Sequence, residues 1–194
     1  MYGFLLQLVK GLLLLFNGSI KVEGLENLPK DKRYILAAPH HSWLDPIMLA
    51  VATYPSRYMF MAKKELFNNK LFAWLIEKLN AFPVDRENPQ VSAIKTPVNA
   101  LRKDELNLII FPTGSRHSDQ IKGGTTAISR LSKRPIVPAV YQGPLSFWEL
   151  LTRKQTVVRI GKPFVVERQV EGVNDPTAYY NDKLEKAFAD LESK

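Results

Sequence analysis

The order of its elements makes this chain an α/β domain with a largely parallel or mixed sheet flanked by helices, preceded by an apolar N-terminal helix. Two observations predict it: apolar runs of strand length alternate with periodic segments of helix length, and no repeat, low-complexity tract or linker divides the chain. A length of 194 residues, 45% of them hydrophobic and 24% charged, suits one domain with its own core.

The first sixteen residues, MYGFLLQLVKGLLLLF, are mostly apolar. As a helix they reach only about 24 Å, against about 30 Å of bilayer hydrocarbon, and Gln7 and Lys10 interrupt them. An interfacial anchor lying in one leaflet is favoured over a buried core helix and a tilted span, so residues 1–17 are read as an anchor and 18–194 as the body. After the turn at NGS, IKVEG and RYILAAPH read as strands. DPIMLAVAT reads as a helix with Asp45 at the cap and Pro46 in the first turn. Then come strand SRYMFMAK, helix KLFAWLIEKLN, extended AFPVDR, a helix over VSAIKTPVNALRK interrupted or entered at Pro97, and the buried strand LNLIIFP. Helix TTAISRLSK, strand PIVPAVY, a loop with SFWELLTRK, strands around TVVRIGKPFVV and a closing helix from PTAYY complete the alternation.

Composition narrows the chemistry. There is no cysteine and there are only three histidines, which removes disulfides, thiolate metal sites and a cysteine nucleophile and disfavours a zinc or iron centre; no metal or cofactor is expected. A net charge of +8 and a pI near 9.6 call for an anionic partner: nucleic acid, an anionic membrane surface or a phosphorylated substrate. The basic residues are scattered rather than gathered on one helix, which argues against nucleic acid.

Two of the three histidines, His40 and His41, fall in the loop APHHSWLD. Five residues apart on a continuous helix, His40 and Asp45 would point roughly 140° away from each other; across a loop that turns into a helix they can meet. The carboxylate would then cap the helix with one oxygen and hold an imidazole nitrogen with the other, leaving the opposite nitrogen as a base. Two other readings stay open: an ordinary Asp-Pro helix start, and a Ser42–His–Asp hydrolase lacking the G-x-S-x-G elbow. FPVDR and FPTGSRH each end a strand-like run in an arginine, and Gly114 would make a tight turn. Arg86 and Arg116 are therefore candidates for an anion clamp, joined by Lys122 before the next helix start.

His40-x4-Asp45, KKEL at 63–66 with FPVDR at 82–86, FPTGSR at 111–116 and PIVP at 135–138 resemble, in order and spacing, the four blocks of the glycerolipid acyltransferase family, with lysophosphatidic acid acyltransferases the nearest members. The resemblance spans residues 38–139. It implies transfer of a fatty acyl group from acyl-CoA or acyl carrier protein to a lysophospholipid acceptor, with His40 as general base and Asp45 orienting it. It also implies that the loops carrying Arg86 and Thr113, Gly114, Ser115 and Arg116 bind the acceptor phosphate, assisted by Lys63. The family usually has glutamate where Thr113 stands, and Pro39 and Ala139 are further departures. Residues 18–194 would then be the acyltransferase domain of an enzyme at the cytoplasmic face of a membrane. LFAWLI and SFWELLTRK would serve as added apolar feet, through Trp74, Phe147 and Trp148.

Overall fold

The computed structural model of the chain describes residues 2–85, 88, 90–103, 105–114 and 120–194. Among them lie strands β1 (Ile20–Glu23), β2 (Ile35–Ala37), β3 (Tyr58–Lys63), β4 (Ala81–Val84), β5 (Asn107–Ile110), β6 (Ile136–Gln142) and β7 (Thr156–Ile160), in one sheet of order β1-β7-β6-β2-β5-β3-β4. All neighbouring pairs are parallel except β6 with β7. The helices are α1 (Tyr2–Phe16), α2 (Asp45–Ala52), α3 (Lys70–Lys78), α4 (Ser92–Arg102), α5 (Gly124–Ser132), α6 (Phe147–Leu150) and α7 (Pro176–Glu192).

Side chains alternate across the sheet because successive residues of a strand point to opposite faces. Leu36, Ile109, Val137 and Val158 face one side, where Leu6, Leu13, Met48 and Leu49 of α1 and α2 cover them. Ile35, Ala37, Leu108, Ile110 and Ile136 face the other, under Leu101, Ile128, Leu184 and Phe188 of α4, α5 and α7. Both faces are covered, so the central strands β2 and β5 are buried along their whole length, as parallel strands must be. Gly24 closes the β1 end: its φ is +78°, and a Cβ there would lie 2.1 Å from the Ile160 carbonyl oxygen, so only glycine fits.

Two local expectations change. α4 runs straight through the buried Pro97, because the packing of Val98 and Leu101 on the sheet holds the helix despite one missing N–H. The SFWELL stretch expected as loop contains the turn of helix α6, capped by the Ser146 hydroxyl. The N-terminal segment is a core helix on one side only: Tyr2, Leu6 and Leu13 are buried, while Phe4, Leu8, Leu12, Leu14 and Leu15 are exposed. No helix among the described residues is long and apolar enough to cross a membrane.

The topology creates the crevice. β2 leads through α2 on one face to β3, whereas its neighbour β5 leads through α5 on the other face to β6. The connections leave adjacent carboxyl ends in opposite directions, and the gap between them is where such sheets hold ligands.

Candidate active site

The carboxyl end of β2 runs into the loop 38–44, and Asp45 is the first residue of α2. It is not the cap expected from sequence, since the capping position belongs to Leu44, whose side chain makes no capping bond. The carboxylate instead reaches backward into its own loop. Oδ2 accepts the backbone N–H of His41 at 2.6 Å and of Ser42 at 2.8 Å, and lies 2.9 Å from Nδ1 of His40. One oxygen does all this; Oδ1 is buried and has no hydrogen-bond partner among the described residues. The side chain is 1% exposed, and the positive end of α2 favours its charge.

His40 is held on a second side. Its ring stacks on Phe111, at the end of β5, with centroids 4.1 Å apart and planes 20° from parallel. The imidazole is therefore clamped between an aspartate from its own loop and an aromatic face from the neighbouring strand. With Nδ1 on the carboxylate, the tautomer that leaves Nε2 as the acceptor is favoured. His41 points elsewhere: its side chain is 53% exposed and lies 3.9 Å from Glu192 at the end of α7. Ser42 is buried and its hydroxyl is engaged, donating to the Leu145 carbonyl and accepting the N–H of Leu44. A serine so bound is not poised as a nucleophile.

Next to the dyad stands the Phe111–Gly114 turn, closed by the Gly114 N–H on the Phe111 carbonyl at 2.9 Å. Gly114 has φ +73°, and a Cβ there would lie 3.6 Å from Nζ of Lys122, so the lysine side chain lies over the turn. Lys122 is fixed from behind by its own N–H on the Pro112 carbonyl at 2.9 Å. Thr113 sits inside this turn. Lys63 ends β3, half-exposed, 3.6 Å from Glu65. Arg86, Ser115 and Arg116 lie outside the described residues.

Two contributors escaped the sequence reading. Phe111 was legible only as part of a motif, because stacking depends on β5 lying beside β2. Tyr141 of β6 is buried, and burial, with the charge of Asp45 next, pushes its phenol above the ordinary range; it stays a neutral donor, bonded to the Pro144 carbonyl at 2.6 Å.

Residues 19–142 match the acyltransferase family model. A 1-acyl-sn-glycerol-3-phosphate acyltransferase of Bacillus subtilis is 40% identical over 200 residues, covering all of this chain and 98% of that protein. One from Streptococcus pneumoniae is 43% identical over 175 residues, 90% of this chain and 66% of that protein. The crystal structure of the 1-acyl-sn-glycerophosphate acyltransferase of Thermotoga maritima superposes with a TM-score of 0.70 at 20% identity, over the whole of this chain and 82% of that one, and so shares its fold. With the family model covering well over half its length, this chain belongs to the acyltransferase family.

Proposed function

We propose that the chain transfers a fatty acyl group from a thioester, acyl-CoA or acyl carrier protein, to the free hydroxyl of lysophosphatidic acid, forming phosphatidic acid. The observation that carries this reading is the 2.9 Å contact between His40 Nδ1 and Asp45 Oδ2 at the carboxyl end of the sheet, in a chain whose relatives bear that activity in their names.

The acceptor hydroxyl gives its proton to Nε2 of His40 as its oxygen attacks the thioester carbonyl. That proton transfer typically contributes about 10²–10⁴ in rate, and the Asp45 carboxylate stabilises the imidazolium that forms. Collapse of the tetrahedral intermediate breaks the carbon–sulfur bond, and the imidazolium returns its proton to the departing thiolate. No acyl-enzyme is needed, in keeping with the engaged hydroxyl of Ser42. The acceptor phosphate is assigned to basic groups near the dyad: Lys122 over Gly114 beside Thr113, and Lys63 at the end of β3, together with Arg86, Ser115 and Arg116, which the family resemblance adds. A phosphate gains more from such charge-assisted bonds than from a solvated ion pair.

Residues 1–17 are proposed to anchor the catalytic body, 18–194, on the cytoplasmic face of an anionic membrane. The apolar face that α1 leaves exposed supports this, as do Leu71 and Trp74 of α3 and Phe147 and Trp148 of α6. The net charge of +8 complements anionic lipid.

Incubation of the purified protein with labelled acyl-CoA, acylated acyl carrier protein and a panel of lysophospholipids tests the reading. Labelled phosphatidic acid, formed from lysophosphatidic acid in preference to the other acceptors, is expected. Equal use of an acceptor without the terminal phosphate would remove the phosphate clamp, and binding of lysophosphatidic acid without turnover would make the chain a lipid-binding module.

A further inference from the structure

The loop that carries His40 is fixed at one more point, which the acyl-transfer chemistry does not use. Ser42 is 3% exposed, and both its N–H and its hydroxyl are engaged. Its N–H donates to Asp45 Oδ2 at 2.8 Å, its hydroxyl accepts the Leu44 N–H at 3.1 Å, and the same hydroxyl donates to the carbonyl of Leu145, 103 positions away. With donor and acceptor both committed, the hydroxyl has one position, and that position aims the Ser42 N–H at the carboxylate.

The segment at the other end of this bond is a closed unit of its own. Ser146 Oγ accepts the Glu149 N–H at 3.3 Å, and Glu149 Oε2 accepts the Leu145 N–H at 3.2 Å, which resembles a capping box with the carboxylate bonded one residue before the cap. The Leu145 N–H, followed by Lys154, holds the Glu149 carboxyl below the usual range. Tyr141 secures the preceding residue through the Pro144 carbonyl. Outward, Phe147 and Trp148 face solvent. The Ser42 hydroxyl thus joins the dyad loop to this apolar tip by a direct hydrogen bond, beside the shared packing of Leu44 and Leu150.

We propose that Ser42 is a positioning residue of the His40–Asp45 dyad, acting through its bond to the Leu145 carbonyl, and that the Glu149-capped segment sets how firmly that bond holds. The inference rests on the acyl-transfer reading above. Losing the hydroxyl strands a buried N–H and a carbonyl together, and the loop that aims two amides and an imidazole at one oxygen shifts. Proton transfer depends steeply on such placement; an error of about 1 Å costs about 10²-fold. Substrate contacts, which lie on other loops, stay in place.

The test is kcat and KM for lysophosphatidic acid and acyl-CoA in the wild type, Ser42→Ala, Ser42→Thr, Glu149→Ala and the Ser42→Ala/Glu149→Ala double variant, with thermal melts as the folding control. Ser42→Ala is expected to lower kcat by about 10–100-fold with both KM values within about twofold, and Ser42→Thr, which keeps the hydroxyl, to recover to within about fivefold of the wild type. Glu149→Ala should lower kcat by about threefold alone and not at all in the Ser42→Ala background, because both act through one bond. A rise in KM at unchanged kcat, no recovery with threonine, or additive effects in the double variant would overturn the inference. If Ser42→Ala does not fold, an unchanged kcat in Glu149→Ala does the same. A wild-type protein inert toward lysophosphatidic acid overturns the acceptor assignment instead.

Discussion

The two ends of the parallel strands are built from similar polar groups and use them in opposite ways. At the amino ends, Tyr34, Ser56 and Tyr58 bond one another: the Tyr34 hydroxyl lies 2.9 Å from Ser56 Oγ and 2.6 Å from the Tyr58 hydroxyl. The Tyr34 N–H donates to Asn107 Oδ1 at 3.1 Å, and the Tyr58 N–H to the Tyr2 hydroxyl at 3.2 Å. Those bonds lash β2, β3, β5 and α1 together. At the carboxyl ends, three donors crowd onto one oxygen of Asp45, while among the described residues its other oxygen has no hydrogen-bond partner. A polar group committed to neighbours contributes stability; one held rigid with an atom left over can do chemistry.

The strongest way to break this contrast is at the dyad. His40→Ala and Asp45→Asn are each expected to lower turnover by about 10²-fold or more with melting temperature nearly unchanged, whereas His41→Ala should cost less than about threefold. Steady-state assays on lysophosphatidic acid decide it; an indispensable His41 would move the base out of the dyad.

The next effect separates the two faces of α1. Leu6→Ala, inside the core, should cost about 2–3 kcal/mol in denaturant unfolding. Leu15→Ser, on the exposed face, should change stability by less than about 0.5 kcal/mol yet weaken cosedimentation with anionic vesicles. Equal effects on both readouts would merge the two faces into one role.

At the amino ends, Tyr58→Phe removes the bond to Tyr34 and should cost about 1 kcal/mol of stability while leaving kcat untouched. A drop in kcat would show that the two ends are coupled.

The smallest effect is invisible at neutral pH. Burial pushes the Tyr2 phenol up to about 12 and Tyr58 well above its ordinary value of 10. The unfolded chain ionises these phenols near pH 10 and the folded chain does not, so their contribution is complete below pH 10 and is lost as pH rises from about 10 toward 12. Phenolate absorbance from these residues should rise together with loss of far-UV circular dichroism; ionisation well before unfolding would open the cluster to water.

Much of this was legible in the chain. LNLIIFP reads as a buried strand and PIVPAVY as a strand because an apolar run bounded by turns has few alternatives, and HHSWLDP reads as a loop entering a helix because Pro46 suits only its first turn. The His40–Asp45 contact was legible for the same reason: five residues of loop bring the two side chains together without help from elsewhere. One detail reads differently in the structure. Asp45 looked like a cap, but bonding its own loop left the capping position to Leu44. The N-terminal run, read as an anchor, also lends Tyr2, Leu6 and Leu13 to the core, because apolar composition does not say which surface an apolar face will meet.

By itself the sequence determined the α/β alternation, the burial of LNLIIFP and the loop that lets His40 and Asp45 meet, all of which depend on residues within a few positions of one another. Only the tertiary structure decided that β5 inserts between β2 and β3, so that Phe111 lies under the His40 ring. It alone joined Ser42 to Leu145 and laid Lys122 over Gly114. Strand order and such long-range contacts follow from which helix covers which face of the sheet. That is settled by burying every apolar face at once, a condition on the whole chain that no local stretch encodes.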